Sequence, residues 1–339
     1  MAEQFFRPTS LEEALALKAE WGPDLRPSAG CTDLLVKIRA GIMAPRAFLD
    51  LSHIEGLRSI RREESWLRLG ATATARDCLQ DPWIHERFPA LWRACQWLGG
   101  PQMQHQATLG GNLGNASPAA DTVPAIMAAG GEVVLRSESA ERVLPLHEFL
   151  TGPGRTVIAA DELIVEIRVP MSAFKPADPR PLIAEPGDEL KLNTIPRHGP
   201  LPPANGSGPA EYATNMFYKA GARLAQVISV ACVAGWARMR GTEVVELRLA
   251  FGSAAPTTRR AFAAEAFLAG KILTPGVIEA AVELLDRDIS PITDIRGSAD
   301  YKRLLCRNQT RLFLQDLAQC ELSAGTPPSP PKPAPTGVL

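Results

Sequence analysis

The chain has no paired cysteines. Its six, Cys31, Cys78, Cys95, Cys232, Cys306 and Cys320, show no CxxC spacing, and the closest two are more than ten residues apart. Iron–sulfur and zinc sites need clustered thiolates, so neither is expected, and the thiols read as reduced, buried small hydrophobes. The histidines, His53, His85, His105, His147 and His198, are equally scattered, with no HxxxH and no carboxylate at ligand spacing, so no metal site is expected either. No GxSxG elbow marks a serine nucleophile. Neither charge is in excess: 36 Lys and Arg against 37 Asp and Glu give a net charge of −1, with the basic residues dispersed. That argues against a nucleic-acid or anionic-membrane surface. No stretch approaches the roughly 20 apolar residues that span a bilayer. The amino terminus lacks a basic start followed by a long apolar run, so the cytoplasm is the expected compartment. No internal repeat is evident.

What is present is 339 residues, 45% hydrophobic and 22% charged, enough for two or three domains of an ordinary globular protein. Ser10 and Glu13 form a capping-box pattern that predicts a helix through about Glu20, stopped by Gly22 and Pro23. A short extended piece, Asp24 to Pro27, leads to a small-residue loop, Ser28 to Asp33, and a helix over Leu34 to Ala40 ending at Gly41. Leu49 to Leu51 and Ser65 to Gly70 read as strands. Asp81 to Gly99 carries an apolar stripe of Trp83, Leu91, Trp92, Cys95 and Leu98 and reads as one helix. A second small-residue loop, Thr108 to Asp121, precedes a helix over about Thr122 to Ala129. Glu132 to Leu135 and Leu163 to Val169 are strand-like, the latter alternating Leu163, Val165, Ile167 and Val169.

Composition then changes. Residues 172–211 are rich in Pro, Gly, Asn and charge, without periodicity, and mark a boundary. The expected division is 1–171, 172–211 as insertion or linker, 212–322 as a second domain, and a Pro-rich tail at 323–339. Within 212–322, Gln226 to Met239 and Glu243 to Phe251 read as paired strands. Helices follow near Thr257 to Leu268, Gly276 to Asp286 and Ser298 to Leu317.

The two small-residue loops carry the chemistry. Such loops can aim successive main-chain N–H groups at one point and so bind an anion. Glycine lets a pyrophosphate reach the backbone. Each charge-assisted N–H···O bond is worth roughly 1.5–3 kcal/mol, so two loops could hold a dinucleotide without a lysine. Asn112, Ser117 and Asp121 offer side-chain partners at the rim. A carboxylate such as Asp121 suits ribose hydroxyls and would repel phosphate. Gly-rich loops are also ordinary turns, and neither loop reads GxGxxG after a strong strand, so a nucleotide here implies a non-Rossmann fold.

Ser28 to Leu34 (SAGCTDL) resembles the AGGTDL loop of the FAD-binding subunits of molybdenum hydroxylases, and Thr108 to Asp121 (TLGGNLGNASPAAD) resembles their TIGGNLCNASPAAD loop. That family includes xanthine dehydrogenase, carbon monoxide dehydrogenase and 4-hydroxybenzoyl-CoA reductase. The likeness continues through Phe149 to Gly154, Asp161 to Ile164, Phe217 to Lys219, Leu247 to Gly252, Ala255 to Thr257 and Asp294 to Tyr301. It implies an α+β fold: a two-lobed p-cresol methylhydroxylase-type FAD domain, then a smaller α+β carboxy-terminal domain.

By the same resemblance, Ser28, Ala29, Gly30, Cys31, Thr32, Asp33 and Leu34, with Thr108, Leu109, Gly110, Gly111 and Asn112, wrap the FAD pyrophosphate. Ser117 and Asp121 hold the ribityl or ribose part. Leu109 stands where relatives have Ile beside the isoalloxazine, Leu163 belongs to the matched stretch counted with the cofactor site, and Lys219 reaches the flavin N1–C2 edge, with Tyr218 as a weaker neighbour. No catalytic base and no metal ligand is implied for this chain. The implied role is electron transfer: from [2Fe–2S] clusters on a small subunit, fed by the molybdenum cofactor of a large subunit, through FAD to an acceptor such as NAD+. A dimer of heterotrimers is the implied assembly, and purines are the favoured substrate class of the whole. Two other readings stay open: a stand-alone flavin oxidoreductase of the same fold, and an assembly module that has lost FAD. Departures from the family pattern are Cys31 for glycine, Gly114 for cysteine, Gln104 for arginine, and the insertion 172–211.

Overall fold

Ser10 caps the first helix by accepting the Glu13 N–H, while the Glu13 carboxylate reaches back to the N–H of Thr9, one residue before the cap. In the computed structural model this helix is the crossover of a small parallel sheet. The strands are β1 (Gln4–Phe6), β2 (Leu25–Ser28) and β3 (Ala47–Asp50), with α1 (Leu11–Trp21) after β1 and α2 (Leu34–Arg39) after β2. β3 lies in the middle, parallel to both neighbours. Ala14 and Leu15 of α1 pack with Leu25 and Leu49 in one apolar cluster. The structure describes residues 4–175, 177, 182–183, 197–198, 211–223 and 226–318. The rest of the segment 172–211, the tail 323–339 and Cys320 lie outside the described residues.

The second lobe begins with β4 (Ile60–Arg62) and β5 (Trp66–Gly70), followed by six short helices: α3 (Ala75–Gln80), α4 (Pro82–Arg87), α5 (Pro89–Gln96), α6 (Pro101–Gln106), α7 (Leu109–Asn115) and α8 (Thr122–Ala128). Then come β6 (Glu132–Arg136), β7 (Glu141–Pro145), α9 (Leu146–Phe149), the ribbon β8 (Leu150–Gly152) and β9 (Arg155–Thr156), and β10 (Leu163–Pro170). β10 is central in an antiparallel sheet of order β4-β5-β10-β6-β7. Its expected alternation is present: Leu163, Val165, Ile167 and Val169 are all buried.

Two expectations here need correction. Asp81 to Gly99 is not one helix, because Pro82 and Pro89 each sit at the first turn of a new helix, where a missing N–H is tolerated. Thr108 to Asn115 is not a loop: Thr108 is an N-cap, its hydroxyl accepting the Gly111 N–H at 3.0 Å, and the glycines run as two turns of helix.

After the short pair β11 (Leu182–Ile183) and β12 (Arg197–His198), the carboxy-terminal unit forms an antiparallel sheet of β13 (Glu211–Ala220), β14 (Ala231–Arg240), β15 (Glu243–Gly252) and β16 (Arg259–Arg260). Helices α10 (Phe262–Leu268), α11 (Pro275–Asp288) and α12 (Ala299–Ala318) cover one face. β13 shows no two-residue rhythm because both its faces are buried, one towards α5 and one towards α12, so polar-out alternation is absent. β14 starts at Ala231 rather than Gln226. The helix expected from Thr257 begins only at Phe262, because Arg259 and Arg260 form an edge strand.

The expected α+β architecture of a two-lobed amino-terminal part and a smaller carboxy-terminal unit is present, and the parts share a core. Phe217, Cys232 and Trp236 cluster with residues of α5 and α8. The Asn215 amide accepts from Ala90 N–H at 2.9 Å and donates to the Arg87 carbonyl at 3.1 Å. No described helix is long and apolar enough to cross a membrane, and no described group of His, Cys, Asp and Glu is arranged to hold a metal ion. Cys31, Cys78, Cys95, Cys232 and Cys306 are free thiols.

Candidate cofactor site

β2 ends at Ser28, whose hydroxyl donates to the Leu49 carbonyl and so ties the start of the first loop to the parallel sheet. Beyond it the chain turns through Ala29 to Asp33, with Cys31 in the left-handed region at φ 59°. Among the described residues, the main-chain N–H groups of Gly30, Cys31, Thr32, Asp33 and Leu34 donate no backbone hydrogen bond. These are the donors an anion would meet. Burial, helped by Asp50, pushes the Cys31 thiol up, which keeps it a neutral group beside them. Gly30 is fixed by packing, since a Cβ there would overlap the Gln106 carbonyl oxygen. The first loop therefore lies directly against the residues that lead into α7.

The amides of the second segment are arranged differently from expectation. Leu109 N–H donates to the Ala73 carbonyl at 2.9 Å, Gly110 N–H to Ala71 at 2.8 Å, Gly111 N–H to the Thr108 hydroxyl and Asn112 N–H to the Thr108 carbonyl. All four are spent inside the chain, because α7 docks end-on against the turn after β5. Its contribution is a smooth wall in which Gly110, Gly111 and Gly114 line one side of the cavity. Asn112 accepts from the Thr122 hydroxyl at 2.7 Å, and Asn115 accepts from the Lys37 ammonium, which reaches over from α2.

Between the two segments lies a cavity of about 730 Å³, within the range of pockets that hold sizeable organic ligands. Every residue from Ser28 to Leu34 lines it, as do Thr108, Gly110, Gly111, Asn112, Ser117, Asp121 and Leu163. Leu109 does not: with Leu113, one turn on, it faces the core and is 2% exposed. Gly154 also lines the cavity and donates to the Ala116 carbonyl, which fastens the Phe149 to Gly154 stretch onto the end of α7. Lys18, Arg26, Gln226, Val227 and Ile228 are also among the residues that line it.

Lys219 lies behind the lining rather than in it. Its ammonium donates to Asp121 Oδ2 at 2.7 Å and to the Trp97 carbonyl at 3.0 Å, and the Ser229 hydroxyl donates to Asp121 Oδ1. Burial pushes the Asp121 carboxyl up, and Lys219 and Ser229 pull it only partly back. Strand alternation explains Tyr218, which faces the opposite way from Lys219 and packs on Phe313 in the carboxy-terminal core. Gln104 donates to the Gln96 carbonyl, and His105 is exposed.

Lys37, Asn115, Lys18, Arg26 and Ser229 were not singled out from sequence. Lys37 had a legible signal: on a helix starting at Leu34 it lies one turn along the same face. Lys18 caps the Gly22 and Leu25 carbonyls, and burial, with Arg26 nearby, lowers its pKa. Burial likewise lowers that of Arg26. No local pattern marked Ser229.

The site fits a dinucleotide with a diphosphate: on one side the cavity is lined by residues whose main-chain amides make no backbone hydrogen bond and by Lys37, and on the other by Ser117 and Asp121. The family model described as the FAD binding domain in molybdopterin dehydrogenase matches residues 1–172, and the CO dehydrogenase flavoprotein C-terminal domain matches residues 216–317. The carbon monoxide dehydrogenase medium chain of Hydrogenophaga pseudoflava is 28% identical, covering 92% of this chain and 95% of that relative. The xanthine dehydrogenase FAD-binding subunit of Escherichia coli O157:H7 is 26% identical, covering 92% and 94%. Among solved structures, carbon monoxide dehydrogenase from Hydrogenophaga pseudoflava lacking the Mo-pyranopterin moiety matches with a TM-score of 0.77 at 27% identity, over 92% of this chain and 96% of that one. Quinoline 2-oxidoreductase from Pseudomonas putida 86 shares the fold, with a TM-score of 0.76 at 22% identity over 94% and 97%. With a match over half its length laid on this cavity, the chain belongs to the FAD-binding subunits of the molybdenum hydroxylase family.

Proposed function

We propose that the cavity between the Ser28–Leu34 loop and α7 holds FAD, and that the chain carries electrons from [2Fe–2S] clusters of a small partner subunit to an acceptor such as NAD+. A large partner subunit would carry the molybdenum cofactor, in a dimer of heterotrimers. The observation that carries the reading is that Gly30 to Leu34, whose main-chain N–H groups donate no backbone hydrogen bond, all line a cavity of about 730 Å³. When bound, FAD accepts electrons singly and delivers them as a pair, which suits a junction between clusters and a hydride acceptor.

The chain's own residues bind and orient. The loop amides and Lys37 hold the diphosphate, Ser28 Oγ keeps the loop on the sheet, and Ser117 and Asp121 meet hydroxyls of the ribityl or ribose part. Gly110, Gly111 and Gly114 let a flat group lie close to α7. Lys219 acts through Asp121, since the two form a buried neutral pair.

The test is an anaerobic titration of the FAD-loaded protein with NADH, together with identification of the polypeptides that copurify with it. Bleaching of the flavin by NADH and copurification of iron–sulfur and molybdopterin polypeptides are expected. Reduction by artificial dyes but not by NADH would remove NAD+ as the acceptor. A chain that copurifies alone and turns over an organic substrate would replace the subunit reading with a stand-alone oxidoreductase.

A further inference from the structure

The Asp121 end of the cavity is built on the carboxy-terminal unit by two serines with no counterpart in the loop motifs. Ser229 has no exposed surface, and its hydroxyl donates to Asp121 Oδ1 while Lys219 holds Oδ2. Ser253 sits just past β15 with φ at 59°, a left-handed conformation that is strained for a non-glycine residue. Strain of that kind persists where surrounding contacts over-determine it. Ser253 N–H donates to the carbonyl of Pro118, which lies between the cavity-lining residues Ser117 and Ala119, at 2.6 Å, and Ser253 Oγ donates to the Ser229 carbonyl at 3.0 Å. Gly252 lets β15 come this close, because a Cβ there would meet Cys232 Sγ and approach Pro124 and the Ala120 carbonyl. Arg296, clamped by Asp294, approaches the same Ser229 carbonyl at 3.5 Å, and Lys302 holds Asp294 from below at 2.8 Å.

We propose that Ser229 and Ser253 are positioning residues of the flavin site. Ser253 fixes the Pro118 and Ser229 backbones, and Ser229 with Lys219 then holds both oxygens of Asp121, so that the carboxy-terminal unit sets the floor of a cavity whose walls come from the amino-terminal part. The cluster at Asp294, Arg296 and Lys302 backs Ser229 from the far side, which gives the Asp294 to Tyr301 stretch a role towards a site it does not touch. The proposal rests on the reading that this cavity takes FAD.

The test uses the full chain and three variants: Ser229→Ala, Ser229→Thr and Ser253→Gly. FAD affinity is read by flavin fluorescence, the flavin midpoint potential by spectroelectrochemistry, and folding by thermal melting. Ser229→Ala is expected to weaken FAD binding about tenfold and to move the potential, as loss of one hydrogen bond to a charged group predicts. Ser229→Thr keeps the hydroxyl and should restore both. Ser253→Gly relieves the backbone strain and keeps the N–H to Pro118 but loses the Oγ bond to the Ser229 carbonyl, two opposed effects, so it should melt close to wild type while binding FAD several-fold more weakly. That variant carries the test even where Ser229→Ala fails to fold. Wild-type affinity and potential in Ser253→Gly, or a lower melting point in Ser229→Ala with both flavin readouts unchanged, overturns the proposal. Failure of the wild-type chain to bind FAD removes the cavity reading and this proposal together, whereas parity between variants and wild type removes this proposal alone.

Discussion

The Cα of Gly30 lies against the main-chain carbonyl of Gln106, so closely that no side chain fits between them. This contact brings the first loop to the segment that enters α7, and it involves backbone on both sides, so neither partner can rotate away. Gly30→Ala is expected to push the two apart and lower FAD affinity roughly 10- to 100-fold for each loop N–H bond misaligned. Overpacking should also cost about 1–3 kcal/mol of stability. Equilibrium FAD titration and a denaturant melt check both, and an unchanged affinity would falsify the placement of the diphosphate on this loop.

Cys31 makes the opposite prediction. A cysteine in the left-handed region carries a conformational cost that glycine does not, partly offset by glycine's greater freedom when unfolded. Cys31→Gly should therefore leave stability unchanged or raise it by up to about 1 kcal/mol, and should bind FAD at least as tightly. Thermal melts with and without FAD read both quantities. A clear loss of affinity would mean that the thiol itself contacts the cofactor.

How much of this was legible depends on where each residue's partners lie. Ser10, Glu13 and Gly22 act within one helix, and the helix stood out. The alternation of Leu163, Val165, Ile167 and Val169 stood out because these four are buried while the intervening Ile164 and Arg168 are only partly so, Glu166 being buried as well. β13 did not, since both its faces are covered. The glycines from Gly110 to Gly114 read as a loop by composition. They form a helix because Thr108 caps it and the Ala71 and Ala73 carbonyls take its first amides, partners supplied from outside the segment. For the same reason the pairing of Lys219 with Asp121, 98 positions away, was not legible, and it holds the ammonium behind the cavity wall. Ser229 and Ser253 gain meaning only once the two units are packed together.

Acid should destabilise the fold through a few paired carboxylates. Arg296 and then Lys302 hold the Asp294 carboxyl well below the usual carboxylate range, and Arg142 does the same, more mildly, for Glu162. A carboxyl whose folded pKa is depressed contributes stability that is complete above its unfolded value, about 4, and is lost as pH falls through the folded value. Asp121 acts in the opposite sense, because burial pushes it up, so its contribution favours the fold in acid and fades as pH rises. Melting temperature should therefore fall below about pH 5 in the wild type. The gap between wild type and Asp294→Asn should be widest near neutrality and close in acid. A constant gap across that range would mean that Asp294 contributes by shape and not by charge.

Lys37 separates charge from bridging at the cavity. Its ammonium joins α2 to Asn115 of α7, and both residues line the space between. If its main task is to neutralise a diphosphate, Lys37→Ala should weaken FAD binding about tenfold at low salt, with the deficit shrinking as salt screens the wild-type contact. Stability should change little, because a single partly exposed bond to a neutral amide contributes only about 0.5–1.5 kcal/mol. Asn115→Ala removes the bridge and leaves the cation, so it should cost stability by the same modest amount while retaining most of the FAD affinity. Equal losses of FAD affinity in the two variants would make the bridge, and not the charge, the working element, because only the bridge is common to both.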